Sequence, residues 1–302
     1  REWLTKQVTA MIATLRRVEG EALPFEEELR LLYDIQPGWT DEGEFEDALR
    51  AIDDLLPGTE PLAERLNTWD AQFDVPTDRL LPLFALCQDE VQRRTKQGFS
   101  LPEGEEIVLQ IVENQPWGAY NWYLGNYRSR VDINTDLPVR ANGMLGLVTH
   151  EGYPGHHTEH AIKEQRLYVE QGRAEACVQL INAPECVISE GIAVLASDII
   201  FTPQELQDWQ SDVFYPQVGI RAERVRDLTV RDLRLAEARR KLRALGGNAA
   251  FMLHRDGAEP EEVVHYIQRY SARTEKQARQ SYRFISTPLY KSYIFTYHYG
   301  RD

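Results

Sequence analysis

The stretch that decides how this chain folds is Thr149-His150-Glu151-Gly152-Tyr153-Pro154-Gly155-His156-His157-Thr158-Glu159-His160. It holds four of the seven histidines of a 302-residue chain, a density that packing alone does not explain. Neutral imidazole is the commonest metal ligand in proteins, and zinc prefers nitrogen and oxygen donors in tetrahedral geometry. The stretch therefore predicts a metal site, and the helical periodicity around it predicts a mainly α fold.

The spacing of these histidines differs from HExxH, in which two histidines one helical turn apart face the same metal. Pro154 stands where that arrangement has its second histidine. In an unbroken helix, His157 would return to the face of His150 after two turns. Because Pro154 lacks an N–H and Gly155 adds freedom, we expect the helix to be interrupted here. If Pro-Gly is a two-residue insertion, His156 becomes the second ligand, and we favour it over His157.

The other histidines of the stretch are expected to play lesser roles. Whichever of His156 and His157 does not bind the metal would support the site or contact the substrate. His160 has the weakest claim, and its simplest interpretation is an ordinary exposed histidine.

The third ligand is predicted at Glu190, within the apolar residues 184–201. A segment that is apolar nearly all round indicates a buried helix, where a carboxylate is costly unless it is paired or bound to a metal. The alternative interpretation, a carboxylate that starts the helix, suits Glu185 better. Gly191 leaves room for a close neighbour. Asp198, two turns after Glu190, either orients a ligand histidine or lies at the surface.

Composition and charge narrow the class of protein. The chain has 42 % hydrophobic and 27 % charged residues, with a formal net charge of −14. This balance is typical of globular proteins, and an acidic chain repels phosphate backbones and anionic membranes. We therefore expect neither nucleic acid nor a membrane as a partner, and no apolar run reaches the roughly 18 residues of a membrane span. Cys87, Cys177 and Cys186 are widely spaced and odd in number, so we expect no disulfide framework and a cytoplasmic location.

Hydrophobic periodicity divides the chain into an N-terminal helical lobe or cover at residues 1–114 and a metal-binding region at residues 115–302, which could also form one domain. The aromatic residues 117–137 predict a short strand or hairpin beside the site. From residue 141 to about 283 the chain is predicted to be helical. Residues 221–245 predict an amphipathic helix whose arginine-rich face is either a surface for an anionic ligand or, as we favour, a solvated face. N-terminal helices are predicted at residues 3–17, 25–35, 44–56 and 79–95, with Leu4, Val8, Met11, Ile12 and Leu15 on one face of the first.

At these residues the chain resembles a known family. The run His-Glu-x-x-Pro-Gly-His-His, followed by a helix bearing Ser189-Glu190-Gly191, resembles the signature of a bacterial family named only as a domain of unknown function. That family is similar in fold to the carboxypeptidase Taq type of metallopeptidase, within the gluzincins. The resemblance covers about residues 115–302. It implies a two-lobed helical fold around a deep cleft, a Zn²⁺ cofactor and hydrolysis of an amide bond. Residue by residue, it implies His150, His156 and Glu190 as metal ligands and Glu151 as the general base.

The expected reaction is hydrolysis of a peptide or small amide by a zinc-activated water, with Glu151 taking and returning the proton. Related peptidases stabilise the oxyanion with a Tyr or His from a distant segment. Here Tyr297 is the first candidate and His298 the second. The alternative is that the C-terminal aromatic residues only seal the core. The segment 117–137 either binds an extended peptide along a strand edge, with Asn134 and Arg140 near the cleft, or is a structural hairpin.

Two other classes of protein remain compatible with these residues. One is a former peptidase that binds a metal without catalysis and uses its cleft for a ligand or partner, because a plain HExxH is absent. The other is a helical scaffold with incidental histidines. The sequence predicts neither the oligomeric state nor whether cleavage is internal or at a chain end.

Overall fold

The computed structural model describes residues 1–301 and shows a mainly α-helical protein with one small sheet, as the sequence predicts. Asp302, at the end of the predicted metal-binding region, lies outside the described residues. The four predicted N-terminal helices are all present, and a further one lies at residues 62–71. In chain order the elements are α1 (Glu2–Val18), α2 (Phe25–Tyr33), α3 (Glu42–Leu55), α4 (Leu62–Ala71), α5 (Thr77–Gly98), β1 (Glu106–Val112), β2 (Ala119–Gly125), β3 (Arg128–Asn134), α6 (Ala141–Glu151), α7 (His156–Lys163), α8 (Pro184–Ile200), α9 (Pro203–Trp209), α10 (Tyr215–Val218), α11 (Ala222–Arg240), α12 (Leu245–His254), α13 (Pro260–Ser271), α14 (Glu275–Ser286) and α15 (Thr296–Tyr299).

The chain divides into two compact units, and neither is continuous in sequence. The first comprises residues 1–67, 180–191 and 235–302, and the second comprises residues 68–179 and 192–234. The boundary predicted at residue 114 coincides with neither unit. The reason is that buried residues of α1 and α2, Ala13 and Leu29 among them, share one core cluster with helices α12 to α14 from the end of the chain. The division falls inside α8, which is one continuous helix.

The core of the first unit joins its N-terminal and C-terminal helices. Phe25, at the start of α2, lies with its ring centroid 6.0 Å from those of Phe251 and Phe295. Leu29 and Ile267 are buried in the same cluster. Because aromatic side chains bury large apolar areas, this cluster fixes the C-terminal segment against α2 and α12.

Helix α1 turns its apolar stripe outward. The structure buries Ala10 and Ala13 instead, whose small side chains allow α1 to lie close to its neighbour α2. The apolar face that periodicity identifies is therefore not the buried face. The residues that are 45–59 % exposed are Leu4, Val8, Met11, Ile12 and Leu15.

The sheet of the second unit has the order β1-β3-β2. Strands β2 and β3 form an antiparallel hairpin within residues 117–137. Its turn residues Asn126 and Tyr127 have φ values of 51° and 61°, the left-handed conformation of a two-residue type I′ turn. Strand β1 runs parallel to β3. The sequence interpretation missed β1, because periodicity does not separate a short apolar strand from a buried helix.

Within the second unit, α6 packs against α5 and β2, and α7 packs against β2 and β3. Thr149 of α6 lies with its hydroxyl oxygen 2.8 Å from that of Ser197 on α8, which joins the two helices. Val225 and Leu228 of α11 are buried, as an amphipathic helix requires. The long helical region predicted after residue 141 is interrupted at residues 170–183, where only a 3₁₀ turn forms.

Two predictions from composition can be compared with the structure. Cys87, Cys177 and Cys186 form no disulfide with one another. Among residues 1–301, no single helix has both the length and the apolar character to cross a membrane. Helix α8 and the segment Pro203–Val218 reach that level only when taken together, and they are bent by 76° at the break that separates them.

Candidate metal centre

The centre is built around a break between two helices. Helix α6 ends at Glu151 and α7 begins at His156, and the Tyr153–Pro154 peptide bond between them is cis. The Gly155 N–H donates to the carbonyl oxygen of Thr149 at 3.0 Å. A Cβ atom at Gly155 would lie far inside van der Waals distance of the backbone of Thr149 and His150, so only glycine allows the two helices to approach so closely.

This break brings the first two candidate ligands together. The ring centroids of His150 and His156 lie 4.9 Å apart, with the rings almost perpendicular at 88°. Both side chains are partly buried. The interruption that Pro154 and Gly155 predict therefore occurs, and it places His156 beside His150.

The third candidate, Glu190, lies on α8 and is only 2 % exposed. The hydroxyl of Tyr293 donates a hydrogen bond to its Oε1 atom. Burial, and then the Glu190 carboxylate, raises the pKa of Tyr293 well above its ordinary value, so the phenol keeps its proton as a donor. Next to Glu190, Gly191 packs directly on the backbone of Gly300. This is the close neighbour for which the glycine leaves room.

The three residues form a group suited to a cation. The ligand atoms of His150, His156 and Glu190 all lie within 4.8 Å of one another. Glu190 stands two residues before the point at which the continuous helix α8 enters the second unit. Two imidazoles and a carboxylate are also the donor types of a catalytic zinc site.

Glu151, the predicted base, is the last residue of α6 and is buried. Its carbonyl oxygen accepts a hydrogen bond of 2.6 Å from the side-chain amide of Asn121 on β2. The sheet therefore lies next to the residue that follows the first candidate ligand.

His157 is fully buried, and its ring nitrogens contact residues outside this group. Its Nδ1 atom lies 2.8 Å from the Ser129 hydroxyl oxygen, and its Nε2 atom lies 3.1 Å from Glu105 Oε2. Both ring nitrogens are thus engaged within the second unit. This leaves His156 as the better candidate of the neighbouring pair.

His160 differs from the exposed histidine that the sequence interpretation expected. It is partly buried, its ring stacks on His156 at 6.0 Å, and it lies 5.2 Å from the ring of Tyr123. Burial, and next the neighbouring His156, lowers the pKa of His160 well below its usual range. The expectation is wrong because α7 starts at His156 and places His160 one turn later on the same face.

The C-terminal candidates pack among the aromatic residues near the end of the chain. Tyr297 packs on Tyr293 with ring centroids 5.7 Å apart, and His298 packs on Tyr299 at 5.4 Å. Tyr297 and His298 line a cleft of about 780 Å³ in the first unit. Within this tyrosine-rich run, Tyr293 donates a hydrogen bond to the Glu190 carboxylate. The tyrosine-rich run was the signal for it, but nothing in the sequence separates one tyrosine from the next.

Three further candidates, Asn134, Arg140 and Asp198, have contacts or exposures that can be compared with their predicted roles. The side-chain amide of Asn134 donates to the carbonyl oxygens of Gln115 and Trp117. Arg140 forms ion pairs with aspartates 70 and 74. Asp198 is exposed, which agrees with its surface interpretation.

Comparison with known proteins establishes the fold and leaves the activity open. No family model matches the chain, and no curated protein matches it. A solved structure described as a "putative lipoprotein" from Colwellia psychrerythraea is similar over 92 % of this chain, with 16 % identity and a TM-score of 0.61. One of unknown function from Shewanella oneidensis, described in the same way, is similar over 99 % with 14 % identity and a TM-score of 0.52. The chain spans 47 % and 55 % of the length of these two neighbours. At such identities the likeness shows a shared fold alone.

Proposed function

We propose that this chain is a zinc-dependent hydrolase that cleaves an amide bond, most simply a carboxypeptidase-like peptidase. One observation carries the proposal: the donor atoms of His150, His156 and Glu190 lie within 4.8 Å of one another. The predicted base, Glu151, directly follows His150 in the chain. The helix break places two histidines beside a buried carboxylate, and burying a charged carboxylate costs free energy. A bound cation would offset that cost.

The donor set fits zinc in type and number, since three protein ligands leave a fourth position open. A bound zinc ion lowers the pKa of its water ligand to about 7 and polarises a carbonyl group. Glu151 would accept the proton that the attacking water loses and then deliver it to the leaving amine. Its position immediately after His150 at the end of α6 supports that role.

Tyr293 holds Glu190 through a hydrogen bond, which is what a partner of a metal-binding carboxylate does. Tyr297 and His298 remain predicted donors to the oxyanion. In this proposal the substrate is a peptide or a small amide. The contact of Asn121 with Glu151 supports a location of the β2 strand next to the reacting bond.

A binding protein that holds a metal without catalysis is the second candidate. It accounts for the same three donor atoms and for the Pro-Gly break, and it differs only in lacking turnover.

The lipoprotein description of the two solved neighbours bears on the cellular location of this chain. On that ground we favour the cell envelope over the cytoplasm expected from the cysteines. Cell fractionation of the native protein distinguishes the two compartments.

The test of the proposed function separates metal binding from chemistry. Glu151→Gln should keep stoichiometric zinc by elemental analysis and lose turnover of a peptide library followed by mass spectrometry, because the glutamine cannot accept a proton. His150→Ala should lose the metal. Glu159→Gln is the matched control on α7 and should retain both. A Glu151→Gln variant as active as the parent would exclude this base. Zinc binding without chelator-sensitive turnover would favour the binding protein.

A further inference from the structure

A buried carboxylate contacts residues on both sides of the helix break. Glu105 precedes β1, and its side chain is 4 % exposed. Its Oε2 atom accepts a hydrogen bond from the Tyr153 hydroxyl and lies 3.1 Å from His157 Nε2. Its Oε1 atom accepts from Gln92 at 2.8 Å and pairs with Lys96 at 3.1 Å.

The role of this carboxylate follows from the positions of Tyr153 and His157 in the chain. Tyr153 comes immediately before Pro154, and His157 follows Gly155 by two residues. A single carboxylate oxygen of Glu105 therefore contacts both sides of the break. The rings of Tyr153 and His157 also contact each other, with centroids 4.9 Å apart. The same break determines where His156 stands relative to His150.

The chemistry of His157 completes the arrangement. An ionised carboxylate only accepts hydrogen bonds, so the His157 imidazole donates to Glu105 from Nε2, while Nδ1 pairs with the Ser129 hydroxyl. Burial raises the pKa of Glu105, but the hydrogen bonds from His157, Tyr153 and Lys96 outweigh it and hold the pKa below its ordinary value. The carboxylate is therefore ionised under neutral conditions.

The chain Ser129–His157–Glu105 has the composition of a nucleophilic triad. Its burial argues against that activity, because Ser129 is 1 % exposed and His157 is 0 % exposed. A serine that no substrate can reach is not a nucleophile. The three residues are better explained as a rigid support.

We propose that Glu105, Tyr153 and His157, here named the Glu105 clamp, are positioning residues that hold the Pro154–Gly155 break and so place His156 for metal binding. This inference rests on the proposed function for the identity of the ligand, but the clamp also acts on the backbone without a metal. It predicts two independent consequences, one in metal affinity and one in the opening of the break.

The metal arm compares Glu105→Gln with Glu106→Gln, the same change one residue later at an exposed carboxylate that pairs with Arg128. Zinc affinity, measured by competition with a chelator, should fall about 10-fold to 100-fold in Glu105→Gln. It should stay unchanged in Glu106→Gln. The visible spectrum of the cobalt-substituted protein should change in the first variant only. If Glu105→Gln fails to fold, Tyr153→Phe takes its place. It removes one hydroxyl and should give a smaller loss of zinc affinity.

The backbone arm needs no metal. The clamp predicts faster amide hydrogen exchange in Glu105→Gln at Gly155 and Thr158, whose N–H groups bond across the break to Thr149 and Gly152. Unchanged exchange at both amides would overturn the clamp even if the parent protein binds no zinc. Absence of zinc in the parent, with faster exchange in the variant, overturns the proposed function alone.

A third measurement addresses the triad interpretation. A fluorophosphonate probe, which labels reactive serines, should leave Ser129 unmodified in the folded protein. Labelling at Ser129 would show a reactive nucleophile and would overturn the positioning role. Unchanged zinc affinity and an unchanged cobalt spectrum in Glu105→Gln, with zinc bound by the parent, would do the same.

Discussion

At the scale of single residues, the buried carboxylates differ in what surrounds them. Glu28 is 1 % exposed and lies 2.7 Å from the Lys291 ammonium and 3.4 Å from the Arg17 guanidinium. Glu190 is equally buried, but it lies with two imidazoles and the hydroxyl of Tyr293. The first arrangement is a structural ion network, and the second is one that a divalent cation would complete.

Glu28 gives a stability prediction. Glu28→Ala should lower the free energy of unfolding by about 2 to 4 kcal/mol, because it leaves two cations near the core without their carboxylate. Urea unfolding measures the change. The matched control is Glu27→Ala, an exposed carboxylate 4.0 Å from Arg30, which should change stability by less than about 0.5 kcal/mol. Equal losses in the two variants would contradict this account of the network.

At the scale of elements, the break between α6 and α7 places the strictest requirement on residue type, because position 155 has room only for glycine. If the chain binds zinc as proposed, Gly155→Ala should abolish that binding, because the new methyl group collides with the backbone of α6 and moves His156 away from His150. Zinc content of the purified variant is the measurement.

The control lies on the same helix. Gly146 has open space around its Cα atom and is exposed on α6. Gly146→Ala should keep zinc and raise stability by about 0.5 to 1 kcal/mol, since alanine is the better helix former. Retention of zinc by Gly155→Ala would show that the break tolerates a side chain, contrary to the contact geometry.

A second element-scale prediction concerns the start of α9. Thr202 and Glu205 form a capping box, and the backbone N–H of Thr202 is the largest influence holding the pKa of Glu205 at about 2. A folded-state pKa below the ordinary 4.5 stabilises the folded protein above that ordinary value, and this contribution is lost as the pH falls towards 2.

Glu205→Gln should therefore be less stable than the parent at pH 7, and the difference should shrink as the pH falls from about 4.5 towards 2. Urea midpoints of both proteins at several pH values give the measurement. The exposed Glu261→Gln serves as a comparison on α13, where the pKa is lowered chiefly by Arg279 and not by a cap. A difference for Glu205→Gln that does not change with pH would exclude the carboxylate as the cause.

At the scale of the whole molecule, the sequence predicts what is local and misses what is not. The N-terminal helices follow from periodicity, and the break at Pro154 and Gly155 follows from their backbone chemistry. Helix α4 was missed because only a few of its side chains are buried, among them Leu66 and Trp69. Its periodicity is correspondingly weak. Strand β1 was missed because its register is set by pairing with β3, 22 residues later along the chain.

The candidate site shows the same limit. Adjacent helices α6 and α7 carry His150 and His156, so their meeting could be inferred from local spacing. Glu190 was identified because a carboxylate in an apolar helix needs an explanation. Tyr293 lies 103 residues from Glu190 in sequence. Only the packing of the C-terminal segment on α8 selects it from the tyrosines around it.

The outward stripe of α1 has a practical consequence for any laboratory that handles this chain. A row of large aliphatic side chains at the surface gives a fluorescent hydrophobic dye a place to adsorb before any heating begins. A dye-based melting curve should then start from a high signal, and Ile12→Lys should lower that starting fluorescence without moving the midpoint by more than a few degrees. Circular dichroism, which is blind to dye adsorption, is the better readout for the variants above.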